Sequence, residues 1–230
     1  PVIADETGIT FTDRASFANL GFNISLSGPA TDILAKDALL LAQNANITSI
    51  TLKAGETLSL TQTQYLANTS VLTKILNLAD SDFTVTGVTA ANLVTLANNA
   101  SIKYIALASG QILNFTESSW NINAANLSSK VNALATATVN VSGVSGATAL
   151  SLAGNAFIDS VTLASSQIMS LEVTQFKNSS SALGKISNLA TANLTVTGVT
   201  ANAGSPAAML SKVSVAIRHG GLQKTPRSRV

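Results

Sequence analysis

The chain has no cysteine. That excludes disulfides, thiolate metal sites and thiol nucleophiles. Charge is scarce: 10% of the 230 residues are Asp, Glu, Lys or Arg, against roughly 25% in an average soluble protein. Aromatic side chains make up 4%, and there are four prolines and one histidine. No run of about 18 apolar residues occurs, so no segment reads as a membrane-spanning helix. Ser, Thr, Asn and Ala stand where charge would be. Hydroxyls and amides then solvate the surface, and short side chains suit close stacking of neighbouring coils.

The net charge of +2 is set by the end of the chain. Lys212, Arg218, Lys224, Arg227 and Arg229 lie within the last twenty residues, and residues 1–210 hold eight basic and eleven acidic side chains. There is no basic stripe for nucleic acid. The polar, basic stretch 211–230 is expected to be a disordered tail. Pro1 is not a natural start, so the chain is read as a segment of a longer protein.

What is abundant is repetition. Thr84-Val85-Thr86-Gly87-Val88-Thr89-Ala90 returns letter for letter at Thr195–Ala201, and Val139-Asn140-Val141-Ser142-Gly143-Val144-Ser145 is a looser copy. A fourth copy is placed at Ile24–Gly28, so that Gly28, Gly87, Gly143 and Gly198 form one series. Their spacing of roughly 55–59 residues is a period that marks stacked supersecondary units.

Other segments align in the same register. Ile47–Leu52, Ile102–Leu107 and Ile158–Leu163 read as strands. Turns follow at Gly55, Gly110 and Ser166, then second strands at Leu58–Leu60, Leu113–Phe115 and Met169–Leu171. Tyr65, Leu72, Ile75 and Leu78 recur as Trp120, Leu127, Val131 and Leu134, and as Phe176, Leu183, Ile186 and Leu189. Gaps of three, four and seven predict one helical face, with Thr61, Thr116 and Thr174 as caps. Leu93, Leu96, Ala97 and Ala100 predict another helix, capped by Thr89. The stretch from Gly28 to Ile47 is four positions longer than that from Gly87 to Ile102, which predicts one extra helical turn in the first unit.

The expected fold is α/β: a repetitive solenoid of strand-helix-strand-strand-helix units of about 55 residues, with parallel strands. The alternative is an all-β parallel β-helix. The expected division is 1–22 as the end of a preceding unit, 23–82, 83–137 and 138–192 as three repeats, 193–210 as a truncated repeat, and 211–230 as the tail.

Candidate chemistry is weighed position by position. Tyr65, Trp120 and Phe176 could form an aromatic ladder for sugars, but each heads an apolar face and reads better as a core anchor. Thr84/Thr86 and Thr195/Thr197 could present a hydroxyl array, but threonine is also an ordinary strand former. Gly87, Gly143 and Gly198 read as bulges before helices. Gly143–Ala147 resembles a nucleophile elbow without its last glycine, and the sole histidine, His219, is in the tail. Asp80 and Asp82 are two carboxylates where calcium wants six to eight oxygens. No carboxylate pair recurs in register, as a glycosidase would need. The Asn-x-Ser/Thr sequons, such as Asn46, Asn114 and Asn140, come with the composition. No catalytic, cofactor or metal residue is assigned; calcium has no motif behind it.

Leu194-Thr195-Val196-Thr197-Gly198-Val199-Thr200-Ala201, Asn46–Leu52 and Lys185-Ile186-Ser187-Asn188-Leu189-Ala190 carry a resemblance. The chain resembles the repeat regions of large secreted bacterial surface proteins, adhesin-like and hemolysin-related, over about residues 23–202. The resemblance implies export, a place outside the cell or on its surface, and a role in attachment or as a stalk. The chain lacks the Gly-Gly-x-Gly-x-Asp nonapeptide of the calcium-binding branch. The function expected is a non-enzymatic structural segment. Its expected partners are neighbouring repeats of the parent chain, with surface glycans or cell-surface ligands as further candidates. A glycan-binding module and a carbohydrate-active enzyme on a parallel solenoid are the alternatives.

Overall fold

The computed structural model describes residues 28–199. The expectations for residues 1–22, for Ile24–Ser27 and for the tail 211–230 lie outside the described residues. Those described fall into two compact units. One runs to Ala108 and includes Asn126–Asn132; the other comprises Ser109–Ala125 and continues from Ala133.

The first unit contains β1 (Gly28–Ile33), α1 (Ala35–Gln43), β2 (Ile47–Leu52), β3 (Ser59–Thr61), α2 (Gln62–Leu72), β4 (Thr84–Val88), α3 (Ala90–Ala97) and β5 (Tyr104–Leu107). The second opens with β6 (Ile112–Thr116) and the first part of α4 (Glu117–Lys130). After α4 the chain adds β7 (Val131–Asn132) to the first unit. It then makes β8 (Thr138–Val144), α5 (Ala149–Ala153), β9 (Ser160–Leu163), β10 (Ile168–Glu172), α6 (Val173–Asn178), α7 (Ser180–Gly184) and β11 (Asn193–Thr197). The fold is therefore mixed α/β and not all-β.

All the pairings among the described residues are parallel, in several small sheets with no closed barrel. The strand orders are β1-β2, β3-β4-β5-β7, β6-β8-β9 and β10-β11. Parallel neighbours need a crossover, and the helices supply it. A shorter and a longer crossover alternate. The shorter pairs Val85 with Ile105 and Val141 with Val161. The longer pairs Leu60 with Val85 and Leu171 with Val196.

The strands hold by alternation. In β8, Val139, Val141 and Val144 are buried while Thr138, Ser142 and Gly143 face out. Ile50, Val85, Ile105 and Val161 are fully buried, and each such side chain contributes roughly 1.5–3 kcal/mol. The step from Val141 to Val144 takes three positions because a bulge intervenes between Ser142 and Val144. Gly143 makes it with φ 67°, as Gly87 does with φ 65°, a backbone region that costs other residues about 1–2 kcal/mol.

Four expectations need correction. First, Gly28 is not the counterpart of Gly87. Asp32 is: it has φ 58° and sits at the β1 bulge between Ala30 and Ile33. Asp tolerates this conformation better than most residues. With Asp32 in place of Gly28, the series Asp32, Gly87, Gly143 and Gly198 becomes evenly spaced. The extra helical turn disappears with this: α1 has nine residues and α3 has eight.

Second, the helices that follow β3, β6 and β10 are shorter than their apolar spacing suggests. α2 ends at Leu72, and Ile75 makes a parallel bridge to Ile50. Val131 likewise leaves α4 to pair with Ile105, and Ile186 bridges to Val161. Leu134 and Leu189 fall in short 3-10 turns. A buried residue one to three positions after a helix ends satisfies helical spacing without being helical.

Third, Thr174 caps nothing; it lies inside α6, and Glu172 is the cap. Its carboxylate takes the place of the hydroxyl of Thr61, and each forms a capping box with the glutamine three positions on, Gln175 or Gln64. Thr116 accepts from the N–H of Ser119 at 3.1 Å, as expected. Thr89 is the N-cap residue of α3 but caps no helical N–H with its side chain. Fourth, Ala100 lies beyond the end of α3 and is exposed.

Candidate functional site

In the second unit Glu117, Ser145 and Thr148 form one hydrogen-bonded polar group. Glu117 is the first residue of α4. One carboxylate oxygen accepts from the Ser145 N–H at 3.0 Å, and the other accepts from the Ser145 hydroxyl at 3.4 Å and from Thr148 Oγ1. The two hydroxyls lie 2.6 Å apart. The Thr148 hydrogen bond, helped by Ser145 against the opposing effect of burial, holds the Glu117 carboxyl below its ordinary range.

This arrangement resembles an activated serine only superficially. A carboxylate of depressed pKa is a poor base for a hydroxyl. No histidine lies among the described residues. The first unit also performs the same task with a neutral group. Gln62, first in α2, accepts from the Thr89 N–H at 2.9 Å and the Thr89 hydroxyl at 3.4 Å. Both side chains satisfy the N–H that opens the next helical segment, where unpaired donors must find acceptors.

Three further sets of side chains recur, two of them at every interval and one, Asn77 with Asn188, at twice the interval with Ala133 between. Lys74 Nζ donates to the Asn44 carbonyl at 2.8 Å, and Lys130 Nζ to that of Asn99 at 2.7 Å. Lys185 Nζ donates to the carbonyls of Asn155 at 3.1 Å and Ile158 at 2.6 Å. Each lysine sits against the C-terminal end of α1, α3 or α5, where the dipole favours a cation, and shares the asparagine carbonyl with the backbone N–H of Ile47, Ile102 or Ile158. Asn77 accepts from the Leu52 N–H at 2.9 Å and donates to the Leu52 carbonyl at 3.0 Å. Asn188 does the same to Leu163 at 2.9 and 3.0 Å. A side-chain amide thus extends the ladder where the backbone turns away. The hydroxyls of Thr86, Ser142 and Thr197 donate to Leu60, Phe115 and Leu171 on the adjoining strand.

The candidates named from the sequence occupy structural places. Trp120 is 3% exposed, with its ring edge-on to Phe115 at 5.6 Å. Tyr65 is half-buried, stacks near Phe83 and accepts at its hydroxyl from Asn99 at 2.8 Å. Phe176 is half-buried. Of the three aromatic positions only Trp120 lies in the buried core, and it offers no platform to a sugar. Ser81 is buried and donates to the Leu78 carbonyl, while Asp82 pairs with Lys103. Asp80 is exposed. No group of three or more metal-ligating side chains occurs among the described residues. Asn114 and Asn140 bond each other at 2.9 Å. Among the described residues no helix is long and apolar enough to cross a membrane.

The recurring lysine and asparagine roles were missed by sequence reading. For the lysines the signal was there: Lys74, Lys130 and Lys185 keep the interval of Gly87, Gly143 and Gly198, and so do Asn44, Asn99 and Asn155, whose carbonyls they bond, whereas Asn77 and Asn188 have Ala133 between them. No protein-family model, curated protein or solved structure matches the chain.

Proposed function

We propose that this chain is a non-enzymatic structural segment, acting as stalk or adhesive scaffold in a secreted bacterial surface protein. Its architecture is a solenoid of units of about 55 residues. One observation carries the reading. The left-handed backbone positions Asp32, Gly87, Gly143 and Gly198, and the bonds made by Lys74, Lys130 and Lys185, recur every 55 or 56 residues. Polar side chains at repeated positions bond backbone groups of neighbouring elements. They serve the register of the coils, as a spacer requires. The resemblance to adhesin-like repeat regions supplies the location and the role.

Deletion tests this. Removing residues 83–138 joins Asp82 to Val139, the counterpart of Phe83, and leaves every later contact in phase. Stability then changes by the terms of one unit and its neighbours. Removing only 83–110 puts the rest out of phase. The first variant is expected to keep a cooperative unfolding transition and mixed α/β circular dichroism, and the second to lose both. If both deletions unfold the chain equally, the repeat reading is wrong.

A further inference from the structure

We propose that the outer edge of β11 is a docking edge for one more parallel strand, supplied by a further repeat unit of the Ile-x-x-Ile/Val-x-Leu type. The inference rests on the repeat reading above.

β4 and β11 are the same strand chemically, since Thr84–Ala90 and Thr195–Ala201 are identical. They also share a conformation, with Gly87 at φ 65° and Gly198 at φ 75°. β4 is paired on both sides, by β3 and by β5. β8, the intermediate copy, is paired on both sides by β6 and β9. β11 pairs with β10 along its inner edge, from Asn193 to Thr197, and with nothing else among the described residues.

The orientation of the free groups comes from the register. The Thr84 N–H donates to Leu58, toward β3, so the alternating Val85 N–H faces β5. Val196 is the counterpart of Val85, and its N–H and carbonyl face outward. An edge of this kind is a template for another strand. Val196 itself is buried, so the interior side of the template is formed.

The occupant is defined by the strands that already fill the equivalent place. β5 and β9 bring Ile105 and Val161 opposite the valine, preceded by the buried Ile102 and Ile158. A partner must therefore present an apolar residue three positions before a second one, with short polar residues between. The chain's own residues at that offset fit poorly in sequence. Ala216 stands where Ile105 and Val161 stand, Arg218 replaces Leu107 and Leu163, and Pro206 falls at the position of Thr95 inside α3. Proline there lacks the N–H and clashes with the preceding turn. A following unit of the repeat type supplies the right pattern, as Ile102–Leu107 does for β4.

The test is a graft within the full chain. Residues 202–218 are replaced by the sequence of residues 91–107, so that Thr195–Ala201 gains the same continuation as its identical copy. Amide exchange is read at Val196 and Leu194 by NMR. In the unmodified chain both should exchange freely. In the graft, Val196 should slow by about tenfold or more, the equivalent of one net hydrogen bond. A synthetic peptide of the Asn99–Ala108 sequence, added to the unmodified chain, should slow the same amide in proportion to peptide concentration, which covers a graft that fails to fold. Protection of Val196 already present in the unmodified chain would overturn the proposal, whether it is independent of concentration (the chain's own residues cover the edge) or rises with it (a second copy does). So would an edge unaffected by both graft and peptide. If the 83–138 deletion folds while graft and peptide fail, only the docking edge is lost and the repeat reading stands.

Discussion

Gly146 and Gly143 stand three positions apart, and changing each to alanine should have very different consequences. A Cβ on Gly143 meets nothing within 4 Å. Its cost is only that of holding alanine at φ 67°, about 1–2 kcal/mol. A Cβ on Gly146 would lie 1.9 Å from the Ile168 carbonyl oxygen, 2.6 Å from its carbon and 3.2 Å from the Met169 nitrogen. These are backbone atoms of β10, which cannot rotate away. β10 also carries the buried Met169 and Leu171 and pairs with β11 throughout. Either the turn or the strand must shift by more than an ångström, and the Gln167 side chain would lose its 3.1 Å bond to the Gly146 N–H. Overpacking of a well-packed site costs about 1–3 kcal/mol, and the rigidity of these atoms puts Gly146→Ala at the upper end. For a chain of this size about 3 kcal/mol lowers Tm by roughly 6–12 °C. Thermal melts followed by circular dichroism at 222 nm read both variants. Gly146→Ala losing no more than Gly143→Ala would mean that the turn after β8 does not lie against β10.

The remaining predictions concern single side chains. Asp32→Gly and Ser166→Gly each relieve a non-glycine residue at positive φ, and each should raise stability by about 1 kcal/mol, read from the urea midpoint. Lys185→Met removes both carbonyl bonds at the end of α5 and should cost about 1 kcal/mol. Lys177→Met, at an exposed position, should stay within about 0.5 kcal/mol in the same assay. Glu117 has a folded pKa lowered from 4.5. Its contribution is therefore present above the unfolded value and is lost as pH falls through the folded one. Glu117→Gln should leave stability near neutral pH little changed, as Gln62 already serves the first unit, and should flatten the decline below about pH 4.5 seen in urea midpoints of the unmodified chain.

Much of the fold was legible because strands and helices here follow two plain periods. β8 and β10 bury alternate residues, and Leu93, Leu96 and Ala97 fill one face of α3. The elements that escaped are those in which period and chemistry point to different answers. Ile75, Val131 and Ile186 keep a helical interval from Leu72, Leu127 and Leu183, yet they pair as strand residues with Ile50, Ile105 and Val161. One or two paired residues leave no alternation to detect. Asp32 conceals the first bulge because the equivalent position is glycine in the other three copies. Gly28, four positions earlier, imitated it and created an apparent helical insertion.

The polar positions escaped for a different reason. Taken one at a time, Lys74, Lys130 and Lys185 carry no mark of their role in the sequence, since a cation in isolation reads as a solvated face. Their partners are backbone carbonyls, which any sequence supplies, so no acidic residue marks the contact. The same holds for Asn77 and Asn188, whose amides bond the backbone of a leucine. In a chain with 10% charge, salt bridges cannot fix which element neighbours which; the described residues hold one exposed pair, Lys103 with Asp82. Register instead rests on bonds from side chain to backbone between segments far apart in sequence, such as Asn77 with Leu52 and Lys130 with Asn99. Such bonds require lysine or asparagine at one position and only a correctly placed peptide at the other. Neighbouring positions are then free to vary among Ser, Thr, Ala and Asn without losing the contact. The polar pattern, unlike the strand pattern, therefore recurs as single letters, the lysine at each interval and the asparagine at Asn77 and Asn188 with Ala133 between.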